Sequence, residues 1–345
     1  MTRPLRVVCA PDKFKGSLTA VQVGEALRSG IASADPRIEV DVVPIADGGD
    51  GTVAAAVSGG MTAVPIEVSG PTGSPVAATL AVRGSSAVVE LANTCGISLL
   101  PQGLLRPLDA HTIGLGQAIA AALDAGCTDI VVGVGGSAST DVGLGTLVGL
   151  GARLLDQRGQ SVLPSPRFHR KIAAIDLTAL HPRALQARIR IATDVDNPLL
   201  GPHGTVAVFG AQKGITRQCA GRVEKGIAHV AELLDRRDGR HLATMPGMGA
   251  AGGVPVALVA VLDAEIVSGA EFVLGMLDLE HRLRDADLVV TGEGNFDSQT
   301  LRGKGPAAVL DEARRQRIAV AVATGRITLP DAEMEALGVG RWWSL

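Results

Sequence analysis

Aromatic residues are scarce in this chain of 345 residues. They account for 2% of the sequence, and tyrosine is absent. Hydrophobic residues still make up 46%, so large cores must be built from valine, alanine, leucine and isoleucine. Continuous apolar runs such as residues 129–134 are typical of strands that are buried on both faces of a parallel sheet. At roughly 150 residues per domain, the length suggests two domains.

Cysteine is also rare. The four cysteines, Cys9, Cys95, Cys127 and Cys219, contain no C-x-x-C pair, which argues against a disulfide framework or a zinc site. The first ten residues form a strand-like run rather than a signal peptide. No apolar stretch reaches the roughly 18 residues that a membrane span needs. We therefore expect a soluble cytoplasmic protein with no membrane partner.

A positive charge excess is lacking too. The chain has 32 Lys and Arg against 35 Asp and Glu, a formal net charge of −3. Nucleic-acid binding requires clustered cations, so we expect no nucleic-acid partner. The 44 glycines show no collagen-like period, and many lie in tight clusters next to predicted strand ends. This placement indicates loops that bind small ligands.

Both ends of the chain alternate apolar runs with helical patterns. Residues 5–10 and 40–45 are predicted strands, and residues 18–32 are a predicted helix that Ser17 is placed to cap. Residues 285–345 return to the same alternation. These patterns predict a doubly wound α/β domain with ligands at the carboxyl ends of its strands.

The middle of the chain has a different pattern. Between residues 61 and 91, short β-runs are broken by turn sequences, which predicts antiparallel hairpins. The elements that follow are predicted at 111–125, 129–134, 141–155 and 189–193. We therefore predict a discontinuous domain, residues 1–62 plus 285–345, interrupted by a second α/β domain at residues 63–284.

Two loops near the N-terminus follow predicted strands. Residues 12–17 (DKFKGS) contain Lys13, Lys15 and Ser17, and a helix N-terminus beside two lysines favours an anion. An ordinary capped helix with solvated lysines explains the sequence equally well. Residues 47–52 (DGGDGT) combine close backbone approach at glycine with carboxylates that suit Mg²⁺, although an ordinary turn is the alternative.

Three further loops follow predicted strands in the same way. Residues 133–141 (GVGGSASTD) present backbone N–H groups and hydroxyls suited to a phosphate chain. Residues 194–198 (DVDNP) place two carboxylates on one side of an extended chain, for metal binding or proton abstraction, with a proline-stopped turn as the alternative. Residues 291–297 (TGEGNFD) combine glycines with carboxylates, and Lys304 beyond them could meet a phosphate.

Several common nucleotide motifs are missing. The sequence has no G-x-x-x-x-G-K-[ST] loop and no protein-kinase motif set. Residues 247–252 (GMGAAG) match G-x-G-x-x-G, but they follow no predicted strand. An NAD-dependent dehydrogenase of a small hydroxy acid is therefore the weaker, alternative function.

Taken together, the ordered loops resemble the bacterial glycerate kinase family of the glycerate kinase I type. The matching segments are residues 10–18, 46–52, 133–143, 194–199, 212–214, 249–253 and 291–294, together with Asp297 and residues 299–300. The resemblance implies ATP-dependent, Mg²⁺-assisted phosphorylation of D-glycerate, usually at the 2-hydroxyl. It also implies a flavodoxin-like domain interrupted by the second domain, with the active site in the cleft between them.

Phosphoryl transfer requires charge neutralisation and alignment, and we assign residues accordingly. The predicted catalytic residues are Asp47, Asp194, Asp196 and Lys13, and the three aspartates are also the candidate metal ligands, with base and ligand roles left open. The predicted substrate- or anion-binding residues are Lys15, Ser17, Gly48, Gly49, Glu293 and Asp297. The predicted nucleotide phosphate-binding residues are Gly135, Gly136 and Ser137.

The last residues, 341–345, predict a final strand. Its period places Trp342 and Trp343 on opposite faces. Both faces of a doubly wound sheet are normally covered, so we expect a second subunit, or a local rearrangement, to cover one indole. The alternative is that both indoles pack in the core. A homo-oligomer is therefore one of the expected states.

Overall fold

Strands alternate with helices through most of the chain. The computed structural model describes residues 3–298, 300–301 and 305–345. The strands are β1 Arg6–Pro11, β2 Glu39–Val42, β3 Thr62–Ser69, β4 Pro75–Arg83, β5 Ser86–Glu90, β6 Asp129–Gly133, β7 Arg153–Leu155, β8 Ala174–Asp176, β9 Arg188–Ala192, β10 Glu265–Val267, β11 Leu288–Gly292, β12 Asn295–Phe296, β13 Ala319–Thr324, β14 Arg326–Ile327 and β15 Val339–Ser344.

The helices lie mostly between successive strands. They are α1 Ala20–Ala34, α2 Thr52–Ser58, α3 Leu91–Cys95, α4 Ile113–Asp124, α5 Leu144–Gly149, α6 Thr205–Phe209, α7 Arg217–Asp238, α8 Val254–Leu262, α9 Gly269–Met276, α10 Leu279–Leu283, α11 Gly305–Gln316 and α12 Asp331–Ala336. Among the described residues, no helix has both the length and the hydrophobicity needed to cross a bilayer.

Residues 1–61 and 268–345 form one compact unit around a five-stranded sheet. Its strands are all parallel, in the order β15-β13-β11-β1-β2. Numbered within this unit, the order is 2-1-3-4-5, which is the flavodoxin-like arrangement. Buried valines from β1, β11 and β13 form the centre of its core. The predicted α/β fold with a doubly wound parallel sheet is confirmed.

Residues 62–267 form the second unit around a six-stranded mixed sheet, in the order β10-β9-β6-β5-β4-β3. The hairpin strands β3, β4 and β5 are antiparallel, and β5, β6, β9 and β10 are parallel. Because Gly133 at the end of β6 lies beside Ala192 at the end of β9, the loops that follow these strands begin at the same edge of the sheet.

The division of the chain differs from the predicted one at its second boundary. The chain returns to the first unit at residue 268 rather than 285. The reason is that α9 and α10 carry buried side chains, among them Val273 and Leu283, that belong to the core of the first unit. Residues 268–284 therefore lie outside the inserted segment.

The helix predicted at residues 141–155 is also shorter in the structure. It is limited to α5, and β7 follows after a break. Gly149 packs against the carbonyl oxygen of Ile113 so closely that a side chain could not fit. Gly151 has φ +103°, a left-handed conformation that ends a helix. Local backbone packing, rather than side-chain periodicity, sets this boundary.

Candidate active site

The first group of candidate residues lies at the switch point of the sheet in the first unit. β1 has β2 on one side and β11 on the other, so the winding direction reverses between β1 and β11. Asp12 directly follows β1, and Glu293 directly follows β11. Ligands of open α/β sheets bind at this position, outside the carboxyl ends of the strands. Both carboxyl groups are therefore placed at a ligand-binding edge.

Asp12 is a buried carboxyl group with a perturbed pKa. Its Oδ1 accepts a hydrogen bond from Lys13 N at 2.6 Å. Burial raises the pKa of Asp12 from 3.8 to about 7; the Lys13 ammonium opposes the rise, and the Asp47 and Glu293 carboxylates add to it. A carboxylate with a pKa near neutrality can accept a proton from a substrate hydroxyl. Asp12, which was not among the predicted site residues, is therefore a candidate base.

Lys13 lies beside two carboxylates. Its Nζ is 3.6 Å from Asp12 Oδ1 and 3.9 Å from Asp47 Oδ1. The side chain of Asp47 is 32% exposed, whereas that of Asp12 is 6% exposed. The structure thus brings together Lys13 and Asp47, two of the four predicted catalytic residues, and leaves Asp47 the more accessible carboxylate.

The glycine turn after Asp47 is held in one conformation by close packing. Gly49 N donates to Asp47 Oδ1 at 3.1 Å, and Gly48 adopts φ +80°. A Cβ at Gly269 would overlap the carbonyl of Asp47. The turn therefore fixes the Asp47 carboxylate beside Lys13. Anion binding by Gly48 and Gly49 stays a prediction.

The loop after β11 packs against the loop after β1. Glu293 is buried, and its carbonyl oxygen accepts hydrogen bonds from Thr324 Oγ1 at 2.5 Å and Gly325 N at 3.3 Å. A Cβ at Gly294 would lie 3.1 Å from Lys15 N. The glycine next to Glu293 is therefore explained by close backbone approach, and Glu293 belongs to the group around Asp12.

Asp297 is held within its own turn. Its Oδ2 accepts a hydrogen bond from Asn295 Nδ2 at 2.5 Å, and its backbone N–H donates to Thr300 Oγ1 at 3.0 Å. These contacts join Asp297 to Asn295 and Thr300. Lys304, which was predicted to meet a phosphate, lies outside the described residues.

The predicted role of Ser17 as a helix cap is wrong. Thr19 caps α1: its Oγ1 accepts from Gln22 N at 3.2 Å, and Gln22 Oε1 accepts from Thr19 N at 2.9 Å. Ser17 Oγ instead donates to Phe14 O at 3.0 Å. Lys15 and Ser17 lie exposed in a turn before the helix. The helix-dipole argument therefore does not apply to them, and anion binding there stays a prediction.

The second group of candidate residues is the glycine loop after β6 in the second unit. Gly135 is half-buried and Gly136 is exposed, with φ +72°. Ser137 Oγ is a hydrogen-bond acceptor for Lys213 Nζ at 2.5 Å, and the same ammonium group donates to Ser139 O at 2.5 Å. The loop is thus braced from within by a lysine, while Gly136 at its centre is exposed.

Lys213 is a buried cation that reaches this loop from a 3₁₀ helix, Ala211–Lys213. Burial lowers the pKa of Lys213 from 10.5 to about 7, and the Asp141 carboxylate opposes that fall. A Cβ at Gly252 would lie 3.0 Å from Lys213 Nζ, so glycine makes room for the side chain. A phosphate bound to the loop would favour the charged form of Lys213, since a nearby opposite charge stabilises an ammonium group.

The end of the glycine loop is rigid and partly strained. Asp141 Oδ2 accepts hydrogen bonds from Thr112 N at 2.7 Å and Thr112 Oγ1 at 2.8 Å. Val142 has φ +57°, which is a rare conformation for a β-branched residue. The buried Thr140 Oγ1 has no hydrogen-bond partner among the described residues. Strain and an orphaned buried hydroxyl are features that cluster at ligand sites.

Asp194 and Asp196 follow β9, the parallel neighbour of β6. Asp194 is half-buried and Asp196 is exposed. Val195 N donates to Thr193 Oγ1 at 3.2 Å, which bends the chain directly after the strand. These two predicted catalytic residues therefore belong to the same edge of the sheet as the glycine loop, and not to the unit that carries Lys13 and Asp47.

Residues 247–252 have a structural role instead of the dinucleotide role of the alternative function. A 3₁₀ helix, Leu242–Thr244, precedes them in place of a strand. A Cβ at Gly249 would overlap the carbonyl of Pro198, and one at Gly252 would overlap that of Ser139. Close packing against two loops explains these glycines, so the dehydrogenase alternative loses its basis.

In the part of the chain that the structure describes, the carboxylates form no ready-made metal site. Within the described ranges, no group of three or more His, Cys, Asp or Glu residues is arranged to hold a metal ion. Mg²⁺ commonly takes only one or two carboxylates plus substrate phosphates and keeps several waters. The partly exposed carboxylates of Asp47 and Asp194, and the exposed one of Asp196, suit this mode of binding.

Comparison with known proteins agrees with these features. Residues 7–345 match the model of the glycerate kinase family. The chain is 37% identical over 344 residues to a glycerate kinase of Bacillus subtilis (strain 168), covering 99% of this chain and 90% of that one. It is 37% identical over 327 residues to a glycerate 2-kinase of Escherichia coli (strain K12), covering 94% and 86%.

A solved structure gives the same result. The crystal structure of a protein designated glycerate kinase 2 from Salmonella typhimurium LT2 superimposes with a TM-score of 0.85 at 38% identity. The superposition covers 99% of this chain and 90% of that one. The chain belongs to the glycerate kinase family, and it is a phosphotransferase that acts on glycerate.

Proposed function

We propose that the protein catalyses ATP-dependent, Mg²⁺-assisted phosphorylation of D-glycerate to 2-phosphoglycerate. The observation that carries the proposal is the glycine loop braced by the buried Lys213 at the carboxyl end of a parallel strand. Backbone donors beside a preorganised cation form a site for a phosphate chain. The name of the Escherichia coli relative, glycerate 2-kinase, supports the 2-phosphate product.

The glycine loop supplies the nucleotide half of the reaction. Gly135 and Gly136 allow the phosphate chain to approach the backbone closely. Lys213 neutralises charge that accumulates on the phosphates, and its hydrogen bonds to Ser137 and Ser139 hold the loop in place before the nucleotide arrives. Preorganisation of this kind is the main resource of enzymes that transfer phosphoryl groups.

The group around Asp12 supplies the acceptor half. Lys13 attracts the anionic substrate, and Lys15 adds a solvated positive charge nearby. The C2 hydroxyl oxygen forms a new bond to the γ-phosphorus as the bond from that phosphorus to the bridging oxygen of ADP breaks. Asp12 accepts the hydroxyl proton, because its raised pKa places it near neutrality. The predicted position of the active site between the two units stays a prediction.

Mg²⁺ would be held by Asp47, with Asp194 and Asp196 as further candidates. When bound, it would supply electrostatic stabilisation of the phosphate oxygens. Asp47 suits this role better than Asp12, because its side chain is 32% exposed and retains access to solvent. Asp12 is left free for proton transfer.

A cytoplasmic location is part of the proposal. All four cysteines are free thiols, and Cys9, Cys95 and Cys127 are buried. Burial raises the pKa of the Cys9 and Cys95 thiols to about 12, so both stay protonated. Unpaired cysteines are typical of reducing compartments.

A substrate assay with product identification tests the proposed function. The purified protein would be mixed with ATP, MgCl₂ and D-glycerate, ADP release would be followed, and the product would be identified by phosphorus NMR. We expect ADP release only when glycerate and a divalent cation are both present, and a 2-phosphoglycerate resonance. ADP release that does not depend on glycerate, or a 3-phosphoglycerate product, would contradict the proposal or its regiochemistry respectively.

A further inference from the structure

A groove lined by several cations lies elsewhere in the second unit. The hairpin of β7 and β8 and the C-terminal half of α7 enclose a groove of about 1070 Å³. Its walls come from residues 156–158 and 170–175 and from His229, Leu233, Arg236 and Arg237. None of the predicted site residues lines it, and neither Asp12 nor Lys213 does. The groove is therefore a separate feature from the proposed kinase site.

Positive charge is concentrated in this groove. The lining cations are Arg158, Arg170, Lys171, Arg236 and Arg237, and all five are exposed. Within the described part of the chain, none of the five forms an ion pair with a carboxylate. Clustered like charges repel one another, and in a chain of net charge −3 this cluster is not a consequence of a basic composition.

Three carboxylates near the groove are held by other partners. Asp156, the acidic residue of the lining, accepts backbone hydrogen bonds from Arg158 N at 2.8 Å and Gln160 N at 2.9 Å. On α7, Asp235 Oδ1 accepts from Leu242 N at 2.9 Å, and Asp238 pairs with an arginine outside the groove. Two of the cations contact neutral groups: Arg236 Nε donates to Glu232 O at 3.2 Å, and Lys171 Nζ lies 5.5 Å from the centre of the Phe168 ring. Neither contact neutralises a positive charge, so the cluster still favours an external anion.

The groove also has an apolar floor. Ile172 is buried, and Ala173, Ala174, Ile175 and Leu233 line the groove with it. His229 bridges the two walls, with Nε2 2.7 Å from Ile172 O. The volume of about 1070 Å³ lies slightly above the roughly 300–1,000 Å³ that ligand pockets occupy. This size and lining suit one organic molecule with several charged groups better than a single inorganic anion.

We propose that this groove binds a small organic ligand that carries two or more phosphate groups. Four of the five cations are arginines, whose planar guanidinium groups pair with phosphate oxygens in a bidentate manner. The organic part would lie on the apolar floor between β8 and α7. The groove contains none of the residues assigned to the kinase reaction, so we assign it to ligand binding and not to phosphoryl transfer.

Calorimetric titration of the full-length protein with inorganic tripolyphosphate tests the phosphate part of this site. The groove variant is Arg170→Glu with Arg237→Glu. The matched control is Arg222→Glu with Lys225→Glu, which makes the same change in charge at exposed positions of α7 outside the groove. Any binding at the glycine loop is shared by all three proteins and cancels in the comparison.

We expect the affinity of one class of tripolyphosphate sites to fall at least roughly tenfold in the groove variant and to be unchanged in the control, because the groove variant loses charge-assisted pairs with phosphate. The titration is made at low salt, where such pairs are screened least. The milder pair Arg170→Gln with Arg237→Gln should show the same loss to a smaller extent. The glycerate-dependent turnover of every variant without tripolyphosphate should match that of the wild type. Equal tripolyphosphate binding by groove variant and wild type, or an equal loss in the control, would overturn the proposal.

Discussion

In each of the two groups of candidate residues, burial shifts the pKa of one ionisable side chain towards neutrality. In the first unit, burial raises the pKa of an acid, Asp12, to about 7. In the second unit, burial lowers the pKa of a base, Lys213, to about 7. Desolvation disfavours the charged form of either group. Each side chain is therefore poised to change its charge at neutral pH when a ligand of suitable charge arrives.

The difference between them lies in what surrounds each group. Asp12 has a cation and two carboxylates nearby, so its protonation state is set by a balance of several charges. Lys213 is held by neutral oxygens, and Asp141 is the one charged group that shifts its pKa. We expect Lys213 to respond chiefly to bound phosphate, and Asp12 to respond to the local charges of its own loop.

The largest effect is expected from Lys213→Met. The change removes the cation and both braces of the glycine loop, so kcat/KM for ATP should fall by about 10²- to 10³-fold. Steady-state kinetics with varied ATP would measure the fall. Lys225→Met, at an exposed position of α7, is the control. A Lys213→Met enzyme with near-normal kinetics would remove the loop from the proposed nucleotide site.

Asp12→Asn should have the next largest effect. An amide keeps the shape of the side chain and cannot accept the proton, so kcat should fall by about 10²-fold or more while the KM for ATP changes little. Asp50→Asn, an exposed carboxylate in the Asp47 loop, serves as the control. If Asp47→Asn lowers kcat and Asp12→Asn does not, proton transfer belongs to Asp47 instead.

The two lysines of the first loop should differ from each other. Lys13 lies within 4 Å of two carboxylates, whereas Lys15 is exposed. Lys13→Ala should raise the KM for glycerate by roughly tenfold, since a partly buried charge contact is worth more than an exposed one. Lys15→Ala should raise it only a few-fold. Unchanged glycerate kinetics in both variants would show that the lysines are merely solvated.

The buried lysine should also make stability depend on pH. Between pH 7 and 10.5, the unfolded chain carries a proton on Lys213 that the folded chain has lost. Across this window the Lys213 contribution to the free energy of unfolding therefore rises with pH, and it is lost as pH falls through 7. Urea unfolding at pH 7, 8 and 9 should show that the free energy of unfolding of the wild type rises with pH relative to that of Lys213→Met. A constant difference would contradict the lowered pKa.

The smallest effect concerns the tryptophans of β15. Trp342 packs partly buried against the core of the first unit, whereas Trp343 is 54% exposed. Because these are the only tryptophans and tyrosine is absent, iodide should quench one of two emitting populations. Sedimentation at the same protein concentrations would show whether a second subunit covers Trp343. Full protection of both indoles in a monomer would contradict the exposed face.

The sequence by itself determined the class of fold and the loops that matter. Apolar runs at the two ends predicted the strands of the parallel sheet, because strands buried on both faces admit few polar residues. The glycine loops 47–52 and 133–141 were predicted from composition, since close backbone approach requires glycine. The predicted final strand with its two indoles on opposite faces is confirmed by β15, where they differ in exposure.

Only the tertiary structure decided which polar side chains act together. Lys213 and Ser137 are 76 residues apart, and no local pattern links them. The perturbed pKa of Asp12 depends on burial and on Asp47 and Glu293, which arrive from distant segments. The boundary at residue 268 likewise depends on packing. Periodicity records which residues face a core, whereas the charge state of a buried group is set by neighbours that only the folded chain assembles.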